Sequence, residues 1–178
     1  MAGKQRFTAV VDLHLFLIKK DKILLLKRAN TGYMDGFYHV PAGHLDGSER
    51  LIDGLIREAK EELGIKILEK DAELVHIMHN KSNNERVAFF FEIKDWQGEM
   101  RNLELEKHSE LNWFDFSNLP DNIVPYAKEA INNYIKKYQL PLKDAFLNQE
   151  IEFSFGLEEI KILSSQIEQL GLIPLSAS

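Results

Sequence analysis

Apolar residues come in short runs near the start of the chain. Val10 to Ile18 and Lys22 to Leu26 are rich in Val, Leu and Ile, and the polar stretch Lys19-Lys20-Asp21 separates them. Two such runs around a polar turn predict a β-hairpin. Arg28 to Tyr38 is punctuated by Gly, Asn and Asp and reads as a loop, and the short segment His39 to Ala42 ends at Gly43. The period then changes. Ile52, Leu55, Ile56, Ala59 and Leu63 fall at i, i+3, i+4, i+7 and i+11, which lays one apolar stripe along a helix. Gly64 stands where a left-handed residue would stop it. Ala72 to Met78 and Val87 to Ile93 read as strands joined by the polar turn Asn80-Lys81-Ser82-Asn83-Asn84. Asp95 to Glu110 is a charged loop, Leu111 to Phe116 a short strand, and Pro125 to Tyr138 an amphipathic helix.

Strand pair, helix, strands, helix: this order predicts an α/β layer structure around a mixed sheet. Beyond Pro141 the pattern shifts again. Leu157, Ile160, Leu163, Ile167 and Leu170 form a further helical stripe, with Gly171 as a stop. The expected organisation is a catalytic unit over 1–139 and a C-terminal helical extension over 140–178.

Composition narrows the chemistry. At 178 residues and 44% apolar content, one domain can bury a core without disulfide or metal support. Cys is absent, which removes disulfides, thiolate metal sites and Cys nucleophiles together. The apolar run in MAGKQRFTAVVDLHLFLIKK is too short to span a bilayer and reads as a first strand, so a cytoplasmic protein is expected. The net charge of −6 comes with no basic cluster, so neither a nucleic-acid nor a membrane partner is expected. An acidic protein can still handle a small polyanion if cations bridge the two.

Residues able to hold such cations stand on the 52–63 helix. Glu58 and Glu62 differ by about 40° around its axis, and Glu61 lies within about 60° more. Three carboxylates thus share one face, and Glu58 and Glu62 border the apolar stripe. Like charges at i, i+4 destabilise a helix, and the macrodipole opposes acids in its last turns. A bound cation would offset both penalties. Hard oxygen donors with no His or Cys nearby point to Mg²⁺, with Mn²⁺ as a substitute. A solvated Glu-rich helix end paired to Arg57 and Lys60 is the plainer reading of EAKEE taken alone.

The surrounding spacing overturns the plainer reading. Gly43, five residues, Glu49, seven residues, then Arg57-Glu58-Ala59-Lys60-Glu61-Glu62-Leu63-Gly64-Ile65 resembles the Nudix box at each fixed position. With each letter at roughly one in twenty, chance would produce such a match on the order of once per million sequences. The resemblance is to the Nudix hydrolase superfamily and spans about residues 8–138. It implies an α/β/α sandwich, with Gly43 to Ile65 as a loop–helix–loop. It implies that Glu58, Glu61, Glu62 and the backbone carbonyl of Gly43 bind the metal. Arg57, paired with Glu49 and a box carboxylate, would fix their orientation. Water would attack phosphorus in a phosphoanhydride, with no covalent intermediate.

The substrate is written less sharply. The stretch Asn80-Lys81-Ser82-Asn83 lacks the Pro of the superfamily's ADP-ribose enzymes and the Tyr of its diadenosine-polyphosphate enzymes. Tyr38 to Leu45, Gly98 to Lys107, Glu110 to Trp113 and Leu119-Pro120 resemble MutT-like nucleoside-triphosphate diphosphatases. That implies cleavage of an NTP or dNTP to the monophosphate and pyrophosphate, with a further Glu reaching the metals or the water. Glu104 is the first choice for it and Glu106 the second. By the same likeness Arg28 and His44 would touch substrate phosphates. His14, His76 and His79 lack ligand spacing and read as core or edge residues. Phe37, Tyr38, Phe89, Phe90 and Trp113 could stack on a base, though each reads first as core. A nucleotide sugar, a dinucleotide or a capped RNA end is the alternative substrate. A nucleotide-binding domain without turnover is the alternative class, and the unbroken Arg57-Glu58-x-x-Glu61-Glu62 run speaks against it. The 157–170 stripe must be covered: by its own domain, across the substrate cleft as a lid, or in a homodimer, with packing or dimerisation expected before a catalytic role.

Overall fold

The computed structural model describes residues 8–81 and 85–138. The expected helix from Leu157 to Leu170 lies outside the described residues.

The first apolar run is β1 (Val10–Lys19), in which residues 12–17 are all buried. A strand sealed on both faces reads as a continuous apolar run without alternation. Its side chains nevertheless alternate. Leu13, Leu15 and Leu17 point into one core and Phe16 into the other. β1 runs parallel to β6 (Arg86–Ile93) and pairs antiparallel with the short β4 (Ala42–His44). β5 (Ala72–Asn80) closes that side against β6.

The expected hairpin forms between β1 and β2 (Lys22–Arg28), but its ladder is short: only Ile18 with Ile23 and Lys19 with Lys22. Past that corner β2 turns to β3 (Tyr38–His39) and β7 (His108–Asp115). The mixed sheet therefore changes partners at the corner, β1 staying with β4 and β6 while β2 joins β3 and β7. The 39–42 segment resolves into β3 and β4, and β7 starts at His108, inside the stretch expected to be a charged loop.

A helix covers each face. The stripe of α1 (Leu51–Leu63) packs on Leu13, Leu15 and Leu17, while α2 (Pro125–Tyr138) sets Ala127, Ala130, Ile131 and Ile135 against Phe16 and Phe90. Each fully buried Leu or Phe side chain contributes about 1.5–3 kcal/mol from burial. These two contacts make the expected α/β/α sandwich. α1 ends as its sequence predicts: Gly64 adopts φ +69°, and its N–H bonds to the carbonyl of Lys60. No described helix is long and apolar enough to cross a membrane.

Candidate active site

The stripe of α1 fixes where its acids point. Leu55, Ala59 and Leu63 face the core, so Glu58 and Glu62, one step around, are drawn to the rim of the interior and are only 9% and 5% exposed. Glu61 lies further round, and its side chain is half in solvent.

Gly43 makes room for this arrangement. It sits on β4 opposite Leu13, and a Cβ there would stand 1.8 Å from the carboxyl carbon of Glu58. Any side chain would occupy the space that Glu58 uses, so the backbone at Gly43 and the Glu58 carboxylate share one place. One residue earlier, the Ala42 N–H donates to Oε2 of Glu62 at 3.0 Å.

Arg57 ties the cluster together. Its Nε and Nη2 donate to the two oxygens of Glu49 at 3.1 and 3.0 Å. Its Nη1 reaches Glu58 at 2.6 Å and Glu61 at 3.1 Å, and Nη2 also donates to the backbone carbonyl of His44 at 2.9 Å. A planar guanidinium with a rigid fork can hold several carboxylates in fixed directions, which an ammonium cannot. Bonding to Arg57 holds Glu49 below the usual carboxylate range.

The two buried acids shift the opposite way from Glu49. Burial pushes Glu58 up, against the pull of Arg57. Burial pushes Glu62 well up, and the nearby Glu104 and Glu58 carboxylates add to it. Desolvated like charges of this kind are uncomfortable without a positive ion among them. Hard oxygen donors gathered at the rim of a sheet, with one Arg against several acids, fit a divalent cation.

Glu104 arrives from the segment between β6 and β7. The backbone N–H groups of Arg101 and Leu103 donate to the carbonyls of Leu63 and Glu62, at 3.0 and 2.9 Å. These are end-of-helix acceptors that have no partner inside α1. Capping them brings Glu104 against Glu62, whereas Glu106 remains exposed. His108 comes with it, and no sequence signal singled it out; the only trace was its i+4 spacing from Glu104.

The two residues expected at phosphates are differently placed. Arg28 donates to the Tyr33 carbonyl at 2.8 Å and to Thr31 at 3.0 Å, and it lies over the Tyr33 ring, within its own loop. His44 is exposed and stands beside Asp12 and Arg86, the latter pair buried enough to anchor it. Among the aromatic residues considered for stacking, Phe90 is fully buried and packs on His14, so core packing claims it. Tyr38 donates its hydroxyl to Glu110, and Trp113 stacks on Trp96. His14 is buried as expected, and His79 is an exposed edge residue paired with Glu85.

Comparison with known proteins places this geometry. The NUDIX domain family profile matches residues 8–134. Over 124 residues the chain is 29% identical to an ADP-ribose pyrophosphatase of Methanocaldococcus jannaschii, covering 67% of this chain and 70% of that protein. It is 27% identical over 82 residues to an 8-oxo-dGTP diphosphatase of Proteus vulgaris, covering 46% and 72%. The crystal structure of a MutT NUDIX hydrolase from Burkholderia pseudomallei superposes with a TM-score of 0.66 at 25% identity, over 71% of this chain and 98% of that one. The matched region takes in the whole cluster of Glu49, Arg57, Glu58, Glu61, Glu62 and Glu104, and the chain belongs to the Nudix hydrolases, a family that works on nucleotides with divalent metal ions.

Proposed function

We propose that this chain hydrolyses a nucleoside or deoxynucleoside triphosphate to the monophosphate and pyrophosphate, with Mg²⁺ as its ion and Mn²⁺ as a substitute. The observation that carries the chemistry is the carboxylate cluster of Glu58, Glu61 and Glu62 against Gly43, with Glu104 brought to it from another segment. The triphosphate reading rests on the likeness of residues 38–45 and 98–120 to MutT-like enzymes, and the Proteus relative agrees with it.

Glu58, Glu61, Glu62 and the carbonyl of Gly43 are the groups that would hold the ions. When bound, divalent cations neutralise the phosphate charge and make a coordinated water easier to deprotonate. Arg57 keeps the acids oriented and cannot act as a base, because bonding to Glu49 holds its proton. Glu104 presents a further carboxylate to the ions and the attacking water. His44 on β4 and Arg28 at the end of β2 are the residues proposed for phosphate contact. The water oxygen bonds to phosphorus, one anhydride P–O bond breaks, and the freed oxygen leaves with its phosphate group.

A second reading, hydrolysis of ADP-ribose or a like nucleoside diphosphate derivative, is favoured by the Methanocaldococcus relative. A panel of NTPs, dNTPs and ADP-ribose with Mg²⁺ separates the two. Pyrophosphate released together with a nucleoside monophosphate is the expected result. A higher kcat/KM for ADP-ribose, with AMP and ribose phosphate as products, would replace the first reading by the second.

A further inference from the structure

Among the described residues, one group of three side chains could close around a single ion. An oxygen of Glu62, an oxygen of Glu104 and a ring nitrogen of His108 all lie within 4.8 Å of one another. Two are acids, and acids alone gather for many reasons. The third is the informative member. His108 is only 7% exposed, and its Nδ1 is sealed from solvent without a hydrogen-bond partner.

The backbone fixes this ring in place. The His108 N–H donates to the carbonyl of Glu104 at 2.9 Å, and its own carbonyl accepts from the Asn102 side chain at 2.7 Å. On the sheet side, His108 stands opposite Arg28 on β2. Glu62 is held by the Ala42 N–H, and Lys107 donates to Oε1 of Glu104 at 2.6 Å.

We infer that His108 is a nitrogen ligand of a divalent ion shared with Glu62 and Glu104, making this one position selective for Mn²⁺ or a similar transition ion over Mg²⁺. An all-oxygen set suits Mg²⁺, whereas an imidazole nitrogen adds affinity for first-row transition ions. Lys107 and Arg28 are the cations facing the position, and neither can serve as a ligand. The inference rests on the metal-hydrolase reading and adds a donor that the acidic cluster does not contain.

The test uses the full chain loaded with Mn²⁺. Electron spin echo spectra of the bound ion read nitrogen coupling directly, without turnover. The wild type is expected to show coupling to one imidazole nitrogen, retained in His44→Gln and lost in His108→Gln. Titration followed by the free Mn²⁺ signal should show affinity at this position falling at least about tenfold in His108→Gln. Mg²⁺ binding by competition should change much less. Bound Mn²⁺ without nitrogen coupling in the wild type would overturn the inference and leave the carboxylate centre standing. If no divalent ion binds at all, both fall. Because the wild-type spectrum decides by itself, a poorly folding variant cannot rescue the idea.

Discussion

At the scale of single residues, two positions separate activity from stability. Glu62 is buried with its pKa raised, so the folded metal-free protein holds a proton that the unfolded chain releases above about pH 4.5. Stability therefore falls as pH rises through that window. Glu62→Gln removes the penalty. Metal-free Glu62→Gln should melt above the wild type at pH 7–8, with the difference vanishing as pH falls toward 4.5; calorimetry in a chelator checks it. The same variant should lose more than about 100-fold in kcat with Mg²⁺, since a ligand is gone. Gly43→Ala should lose activity with little change in stability. The new Cβ meets the far end of a flexible side chain, so the backbone stays and Glu58 moves. Melting temperature should change little while kcat drops at least about tenfold. An unaltered kcat would separate Glu58 from the reaction.

At the scale of elements, the tail of α1 and the segment after residue 97 depend on each other. Gly64 reverses the chain in a conformation that costs other residues about 1 kcal/mol, and a Cβ there would stand 3.1 Å from Leu103. Arg101 and Leu103 cap the carbonyls of Leu63 and Glu62, and Glu104 is the next residue. Gly64→Ala should therefore destabilise by about 1–2 kcal/mol and also weaken metal binding, although residue 64 bears no ligand. The same coupling separates two acids that the sequence left close in merit. Glu104→Gln should cut kcat at least about tenfold, while Glu106→Gln, on the exposed side of the turn, should stay within about threefold of wild type. Equal losses would mean that the segment contributes diffuse charge and no particular carboxylate.

At the scale of the whole molecule, β1 is central to the sheet, and His14 on it packs beside His39 of β3 as a buried pair of imidazoles. His39 bonds through Nδ1 to the Val40 carbonyl, so Nε2 is left to accept from the Tyr126 hydroxyl at 2.8 Å. Burial lowers His39 to about 4 and His14 well below its usual value. Folded pKa values below the unfolded ones mean stability is fully present above about pH 6.5 and is lost as pH falls toward 4. For His39 alone this amounts to about 3 kcal/mol. The unfolding midpoint should drop across that interval, and His39→Gln should flatten the drop. Activity should rise toward alkaline pH, because the attacking water must lose its proton; an optimum below about pH 6 would contradict this. Ending the chain after Tyr138 tests the proposal that the C-terminal extension serves packing or dimerisation. The shortened protein is expected to keep metal-dependent hydrolysis and to lose stability or change its sedimentation. A folded, shortened protein that binds nucleotide without turnover would place the extension in the reaction.

The sequence by itself determined what depends on neighbours along the chain. Helical spacing defined α1 and α2, Gly64 marked a stop, and Gly43 to Ile65 named the chemistry because ligands on one helix keep fixed angles. Even the burial of Glu58 and Glu62 follows from their place beside the apolar stripe. What depends on distant segments meeting was not written locally. β1 and β6 run parallel though paired residues such as Val10 and Arg86 stand 76 positions apart, and the hairpin that the sequence promised pairs over two positions only before β2 leaves for β7. Only that folding of the sheet, with the capping of α1 by residues 101–103, decided that Glu104 and His108 stand beside Glu62. The same packing claimed Phe90 for the core. Periodicity records which face of an element is buried, but the partner across the interface is chosen by shape and by unsatisfied backbone groups, which no single segment encodes.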